Sequence, residues 1–140
     1  MTTIKSDIAN YFKNLDGIAA VYLFGSYAAK STRPFSDIDI GIIAEHADID
    51  RIKKMLGRYI IDLSKMSRKD IHPIMLNLAP ESLLSQVFAK GQCLVVNNRR
   101  SLSVFKMNVF VKIADFSYYK EKMQKGFIQR FTPTLVSKET

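Results

Sequence analysis

Apolar residues recur along this chain with two periods, and the switching between them lays out a fold. Ile4, Ile8, Tyr11, Phe12 and Leu15 fall at helical spacing. They predict a helix over residues 3–15, closed by Asp16-Gly17. Residues 19–24 are apolar throughout and read as a strand buried on both faces. A turn at Gly25-Ser26 follows, with a short helix expected over 27–30 and a loop at "STRPF". A second strand runs from about Asp37 to Ile43. Ile49, Ile52, Leu56, Tyr59, Ile60 and Leu63 then make one helical stripe, with Asp48 as its cap. A third strand covers roughly 70–76. Because Pro73 has no N–H to give a ladder, that strand is expected at an edge or with a break. Pro80-Glu81 opens a helix that Gly91 ends, and "QCLVV" is a fourth short strand. A long helix occupies about 100–129, and 132–140 read as a loose tail.

This order alternates helix and strand from end to end. It predicts an α/β (α+β) protein with a small mixed sheet and helices packed on it, one domain over residues 1–131. The chain has 140 residues, enough to bury a core without disulfides. Cys93 is the only cysteine, so no intrachain disulfide can form, in keeping with a reducing compartment. The first residues, "MTTIKSDIANYF", lack the basic-then-apolar pattern of a secretory leader. No apolar run approaches the ~18–20 residues that span a bilayer. A cytoplasmic protein without a membrane segment is the expectation.

Charge changes the picture in one region. The net charge is +8 at pH 7. From Arg99 onward nine Lys or Arg face only Asp115, Glu121 and Glu139, which places +6 of the +8 in the C-terminal third. Such a segment suits an acidic partner, or a solvated helix surface.

The chemistry lies in "GSYAAKSTRPFSDIDI", residues 25–40. Side chains alternate along a strand, so Asp37 and Asp39 share one face while Ile38 and Ile40 take the other. Carboxylates in such apolar company are costly unless a cation joins them. Mg²⁺ suits two carboxylates completed by water and phosphate oxygens. Two such ions about 3.5–4 Å apart would activate an attacking oxygen and stabilise a leaving one at phosphorus. Gly25 allows backbone N–H groups close to a polyphosphate, and Ser26 adds a hydroxyl donor.

Gly-Ser followed ten residues later by Asp-x-Asp, on consecutive strands, resembles the nucleotidyltransferase signature of the DNA polymerase β superfamily. The short length points to its minimal members, the MNT domains. The likeness covers about residues 18–96, with "YLFGSYA" and "SDIDI" as its core. It implies a polymerase β-like fold in which Asp37 and Asp39 ligate Mg²⁺ and Gly25 and Ser26 hold the β and γ phosphates of ATP. The α-phosphate would be attacked by a hydroxyl, with loss of pyrophosphate.

Two positions depart from that pattern. The resemblance implies a third carboxylate on the next core strand. His72 stands at its place, and Asp70 lies two residues earlier with the same strand parity. Either could complete the site, His72 as a general base at neutral pH. Its presence equally suits a protein that has lost catalysis. Lys30 stands where glycine is common in the family, which alters the bend of the loop.

The long helix carries more apolar surface than one docking stripe needs. Leu102, Phe105, Val109, Ile113, Phe116, Met123 and Phe127 make one stripe, and Met107, Phe110, Val111, Tyr118 and Tyr119 lie outside it. The excess suits either core packing or a protein interface. Free-standing MNT proteins pair with HEPN-type toxins, so the resemblance implies an antitoxin that transfers AMP from ATP to a tyrosine of such a partner. Two alternatives belong to other classes: an antitoxin that acts by binding alone, and a transferase for small molecules of the aminoglycoside type. Direct nucleic-acid binding has no RRM, KH or helix-turn-helix signature behind it.

Overall fold

A computed structural model describes residues 3–25 and 37–130, apart from the side chains of 116–119 and 125–130. The expected helix at 27–30, the "STRPF" loop, Ser26, Lys30 and the C-terminal tail lie outside the described residues. So do the side chains of Phe116, Tyr118, Tyr119 and Phe127. Residues 1–106 form one compact unit and Met107–Thr140 a second.

The first unit begins with α1 (Ile4–Phe12), where Thr3 caps the start by accepting from Ser6 N at 3.0 Å. The helix ends three residues earlier than the apolar spacing suggests: Lys13 is already extended, with ψ 125°, and Asn14 follows at a φ of 60°. Gly17, at φ 85°, then turns the chain into β1 (Ile18–Phe24). β2 (Ile38–Ala44), α2 (Ile49–Ser67) and β3 (Ile71–Met75) follow as a strand–helix–strand unit. α3 (Glu81–Lys90), β4 (Gln92–Val96) and α4 (Arg99–Arg130) complete the chain.

The four strands form one sheet in the order β3-β2-β1-β4. β1 is antiparallel to both β2 and β4, whereas β2 and β3 are parallel. A parallel pair needs a crossover, and α2 supplies it. β3 lies at the edge, as Pro73 requires.

β1 sits in the middle of the sheet and is buried along its whole length. Alternation sends its side chains to both faces. Val21 and Leu23 join Ile38, Ile40 and Ile42 of β2 under Ile8 and Phe12 of α1 and Ile52, Tyr59 and Leu63 of α2. Edge-on aromatic pairs knit that layer, Tyr11–Phe12 at 5.0 Å and Phe12–Tyr59 at 5.2 Å between centroids. Tyr22 points to the other face, against Phe88 of α3, which in turn meets Phe105.

Asp48 precedes α2 as expected but makes no capping bond; its carboxylate instead takes Arg51 at 3.1 Å. The cap that the sequence reading passes over is Asn98, whose Oδ1 accepts from Ser101 N at 3.1 Å at the start of α4. In the second unit, Val109 is buried, while Met107, Phe110 and Val111 are exposed.

Candidate functional site

The parity that sends Ile38, Ile40 and Ile42 into the α1–α2 core sends Asp39 to the opposite face. Asp39 therefore costs the core nothing, although it stands in the middle of an apolar strand. Its cross-strand neighbours are Phe24 on β1 and His72 on β3. Asp37 immediately precedes β2, shares Asp39's parity, and remains about half exposed.

Three elements thus converge at one end of the sheet. β1 ends at Phe24 and hands over to Gly25. β2 begins beside it with the two acids. β3 runs parallel to β2 and brings His72 alongside, with its Nε2 3.3 Å from Asp37 Oδ2. Ile38 N donates to the carbonyl of Asp70 at 2.9 Å, which locks the start of the two strands together. Of the two candidates for the third position, His72 is the one in contact with an acid of the pair. Asp70 is exposed, and its recorded bond is the one that its backbone carbonyl accepts.

Gly25 has a φ of 75°, a conformation that side chains other than glycine's rarely adopt. A Cβ built there would collide with Asp39 Oδ2. The backbone thus requires glycine, and the movable end of the Asp39 side chain lies where a side chain at residue 25 would begin. Sequence reasoning assigns Gly25 to close approach of phosphates and does not see this steric tie to Asp39. The positive φ of a turn glycine facing the second acid is the signal that could have suggested it.

Electrostatics point the same way. Burial pushes the Asp39 carboxyl above the usual carboxylate range; charge on His72 pulls it down, and the neighbouring charge of Asp37 pushes it up again. Two acids on one half-buried face repel each other, and a divalent cation between them would remove that cost. The donor set fits such an ion: two carboxylates of one parity, one in β2 and one just before it. Among the described residues no group of three His, Cys, Asp or Glu side chains is placed to hold a metal ion. A cation bound by this pair would take the rest of its shell from water or substrate oxygens, the arrangement Mg²⁺ favours.

Comparisons with known proteins bear on this arrangement. The family model described as "Polymerase beta, Nucleotidyltransferase" matches residues 6–100. No curated protein matches the chain. Among solved structures, a toxin–antitoxin crystal structure with AMP-PNP has a chain that is 20% identical, with a TM-score of 0.67 over 89% of this chain and 98% of its own. A complex of the tri-AMPylated HEPN toxin of Shewanella oneidensis with its MNT antitoxin gives 20% identity and a TM-score of 0.61, over 89% and 96%. The MntA–HepT toxin–antitoxin structure gives 19% identity and a TM-score of 0.61, over 89% and 97%. At such identities the likeness is one of fold. Among the described residues no helix is long and apolar enough to cross a membrane.

Proposed function

This chain belongs to the polymerase β nucleotidyltransferase family, and from that premise we propose that it is an antitoxin that transfers AMP from ATP to a tyrosine hydroxyl of a HEPN-type toxin. Asp37 and Asp39 hold the divalent cation, Mg²⁺ by the chemistry of the carboxylate pair. Gly25 and Ser26 receive the β and γ phosphates. His72 takes the third position of the site. The cation supplies charge neutralisation for the phosphates and lowers the pKa of the attacking hydroxyl. In the transfer, the tyrosine oxygen forms a bond to the α-phosphorus, the bond from that phosphorus to the bridging oxygen breaks, and pyrophosphate departs. The hydroxyl proton leaves to a nearby base or to water.

The observation that carries this reading is the juxtaposition of Gly25 with Asp39. A phosphate-binding turn is useful for transfer only beside the acids that hold its cation, and here the turn and the second acid share one space. The family match supports nucleotidyl transfer, and the AMPylated toxin and the AMP-PNP complex among the structural neighbours support the nucleotide and the partner.

The test uses labelled ATP, Mg²⁺ and a HEPN-type toxin that co-purifies with this chain. Label on the toxin that disappears with Asp37→Ala is the expected result, and label that persists rejects the site. His72 at the place of an acid motivates a second reading, an antitoxin that acts by binding alone. That reading requires the double variant Asp37→Ala/Asp39→Ala to neutralise the toxin in a growth assay as well as the natural chain does.

A further inference from the structure

We propose that Arg68, at the end of α2, pairs with an acidic residue that flanks the acceptor tyrosine, so that the partner presents this tyrosine on an acidic segment. This rests on the reading of the chain as an enzyme that transfers AMP to a toxin tyrosine. It adds where the acceptor enters and which charge holds it.

The side of entry follows from the order of the strands. The phosphate-binding turn begins at Gly25, where β1 ends, and the acids stand at the start of β2. β3 lies beyond them, in the order β3-β2-β1. In phosphoryl transfer the attacking and leaving oxygens stand in line on opposite sides of the phosphorus. With pyrophosphate leaving on the β1 side, the tyrosine oxygen arrives on the β3 side. There the chain turns from α2 into β3, and the Asp70 carbonyl accepts from Ile38 N, next to Asp37. Arg68 is two residues from Asp70, a span of at most roughly 7 Å. A segment that delivers a tyrosine from this side therefore passes close to Arg68.

This corner is firmly tied, and its backbone works against the residue it carries. Arg68 N donates to the Ser64 carbonyl at 2.8 Å. Ser67 Oγ donates to the Leu63 carbonyl at 2.8 Å and accepts from Lys69 N at 3.2 Å. Arg68 itself takes a φ of 57°. Helix ends commonly place glycine or asparagine in that conformation, because a β-carbon is strained there. Strain of this kind concentrates at functional sites. Arg68 is exposed, and among the described residues its guanidinium makes no hydrogen bond or ion pair. Asp62 on the same helix is already engaged by Tyr11 and Arg58. Lys65 and Lys69 add two further cations to the corner. A carboxylate is the group that a guanidinium fork matches in a protein partner. Cations at a helix C-terminus also complement its dipole, but that role concerns α2 alone and is indifferent to the acceptor.

The experiment separates the two roles. Transfer of labelled AMP to the co-purifying HEPN-type toxin is measured with Arg68→Lys, Arg68→Gly and Arg68→Glu, and kcat/KM is taken separately for toxin and for ATP. Arg68→Gly is expected to lower kcat/KM for the toxin about twofold to fivefold, the worth of one exposed charge pair. Arg68→Glu lowers it at least about tenfold through like-charge repulsion. Arg68→Lys keeps most of the rate, and kcat/KM for ATP stays within about twofold in all three. Mass spectrometry locates the labelled tyrosine, and an Asp or Glu flanking it, replaced by Lys, restores transfer by Arg68→Glu. Arg68→Gly melts no lower than the natural chain, since glycine suits the φ of 57°. Toxin kinetics unchanged in Arg68→Glu, an equal loss toward ATP, a labelled tyrosine without a flanking acid, or no rescue by the charge swap overturns this inference and leaves the transferase reading standing. No label on the toxin with the natural chain, or label that persists in Asp37→Ala, overturns that reading and this inference with it.

Discussion

Gly25 and Asp39 compete for one volume: the Asp39 carboxylate occupies the space that a β-carbon at residue 25 would need. The φ of 75° at Gly25 adds a second constraint. Gly25→Ala is therefore expected to do two separable things. Backbone strain lowers stability by ~1–2 kcal/mol, read as a fall in the thermal midpoint. Displacement of Asp39 lowers AMP transfer by about 100-fold or more, because misplacing a reacting group by about 1 Å costs that much. A variant with the stability loss but full transfer would show that Asp39 can be moved without harm.

Asp39 predicts an opposition between function and stability. Its carboxyl is raised by burial and by Asp37. A carboxyl whose pKa is raised on folding costs stability where it is ionised, above its unfolded value, and the cost fades as the pH falls through the raised folded value. Asp39→Asn removes that cost. Without added metal, it is expected to melt higher than the natural chain at pH 7. The difference should close on acidification, as the natural side chain becomes neutral too. Transfer is lost in the same variant. A lower midpoint at pH 7 would contradict the sign.

Asp70 and His72 separate by what each contributes. Asp70 serves the fold through its carbonyl, which Ile38 N engages, and an asparagine retains that carbonyl. Asp70→Asn is expected to keep transfer within about twofold, and His72→Ala to lose at least about tenfold at equal metal. Steady-state transfer to the toxin checks both. The reverse ranking would return the third position to Asp70.

Much of this architecture is legible in the residues themselves, for physical reasons. β1 announces itself as an unbroken apolar run between two glycines, and β4 as a short apolar run after Gln92, ahead of Asn97-Asn98. Pro73 fixes β3 at the edge because it cannot donate. The opposition of Asp39 to the core follows from parity alone. What the sequence leaves hidden depends on pairing partners and backbone signs. No local pattern shows the register of β2 on β3, which sets His72 opposite Asp39, with its Nε2 3.3 Å from Asp37. The end of α1 is hidden for a similar reason: Leu15 continues the apolar spacing, but the extended Lys13 and left-handed Asn14 have already turned the chain out of the helix. Asp48 has the right identity and position for a cap, yet Arg51 claims its carboxylate.

Gly57 offers a test of stability away from the site. It lies in the interior of α2, is exposed, and has no atom within 4 Å of where a β-carbon would stand. Neither packing nor a positive φ requires glycine there. Gly57→Ala is expected to stabilise the protein by roughly 0.8–1 kcal/mol through helix propensity alone, seen as a higher denaturant midpoint at an unchanged slope. Transfer activity should not change, since the helix faces away from Asp39. A destabilised variant would mean that the bare backbone at this position serves a contact.

Met107, Phe110 and Val111 stand at i, i+3 and i+4 on α4, which places them on one face, and they are 67%, 53% and 54% exposed. Val109, between them in sequence, is buried, so their exposure is not shared by every apolar residue of this stretch. Basic residues flank them, among them exposed Lys112. Methionine and aromatic residues ringed by charge are typical of the centre of a protein interface. If α4 carries the toxin, Met107→Ser/Val111→Ser weakens the complex at least about tenfold, as loss of central apolar contacts does. The isolated variant should keep its stability within ~0.5 kcal/mol, since both side chains leave water only when a partner covers them. Calorimetric titration against the toxin, beside thermal melting of the free chain, reads the two quantities separately. Undiminished affinity would move the docking surface off this face, whereas a large loss of stability in the free chain would show that the face is packed rather than waiting for a partner.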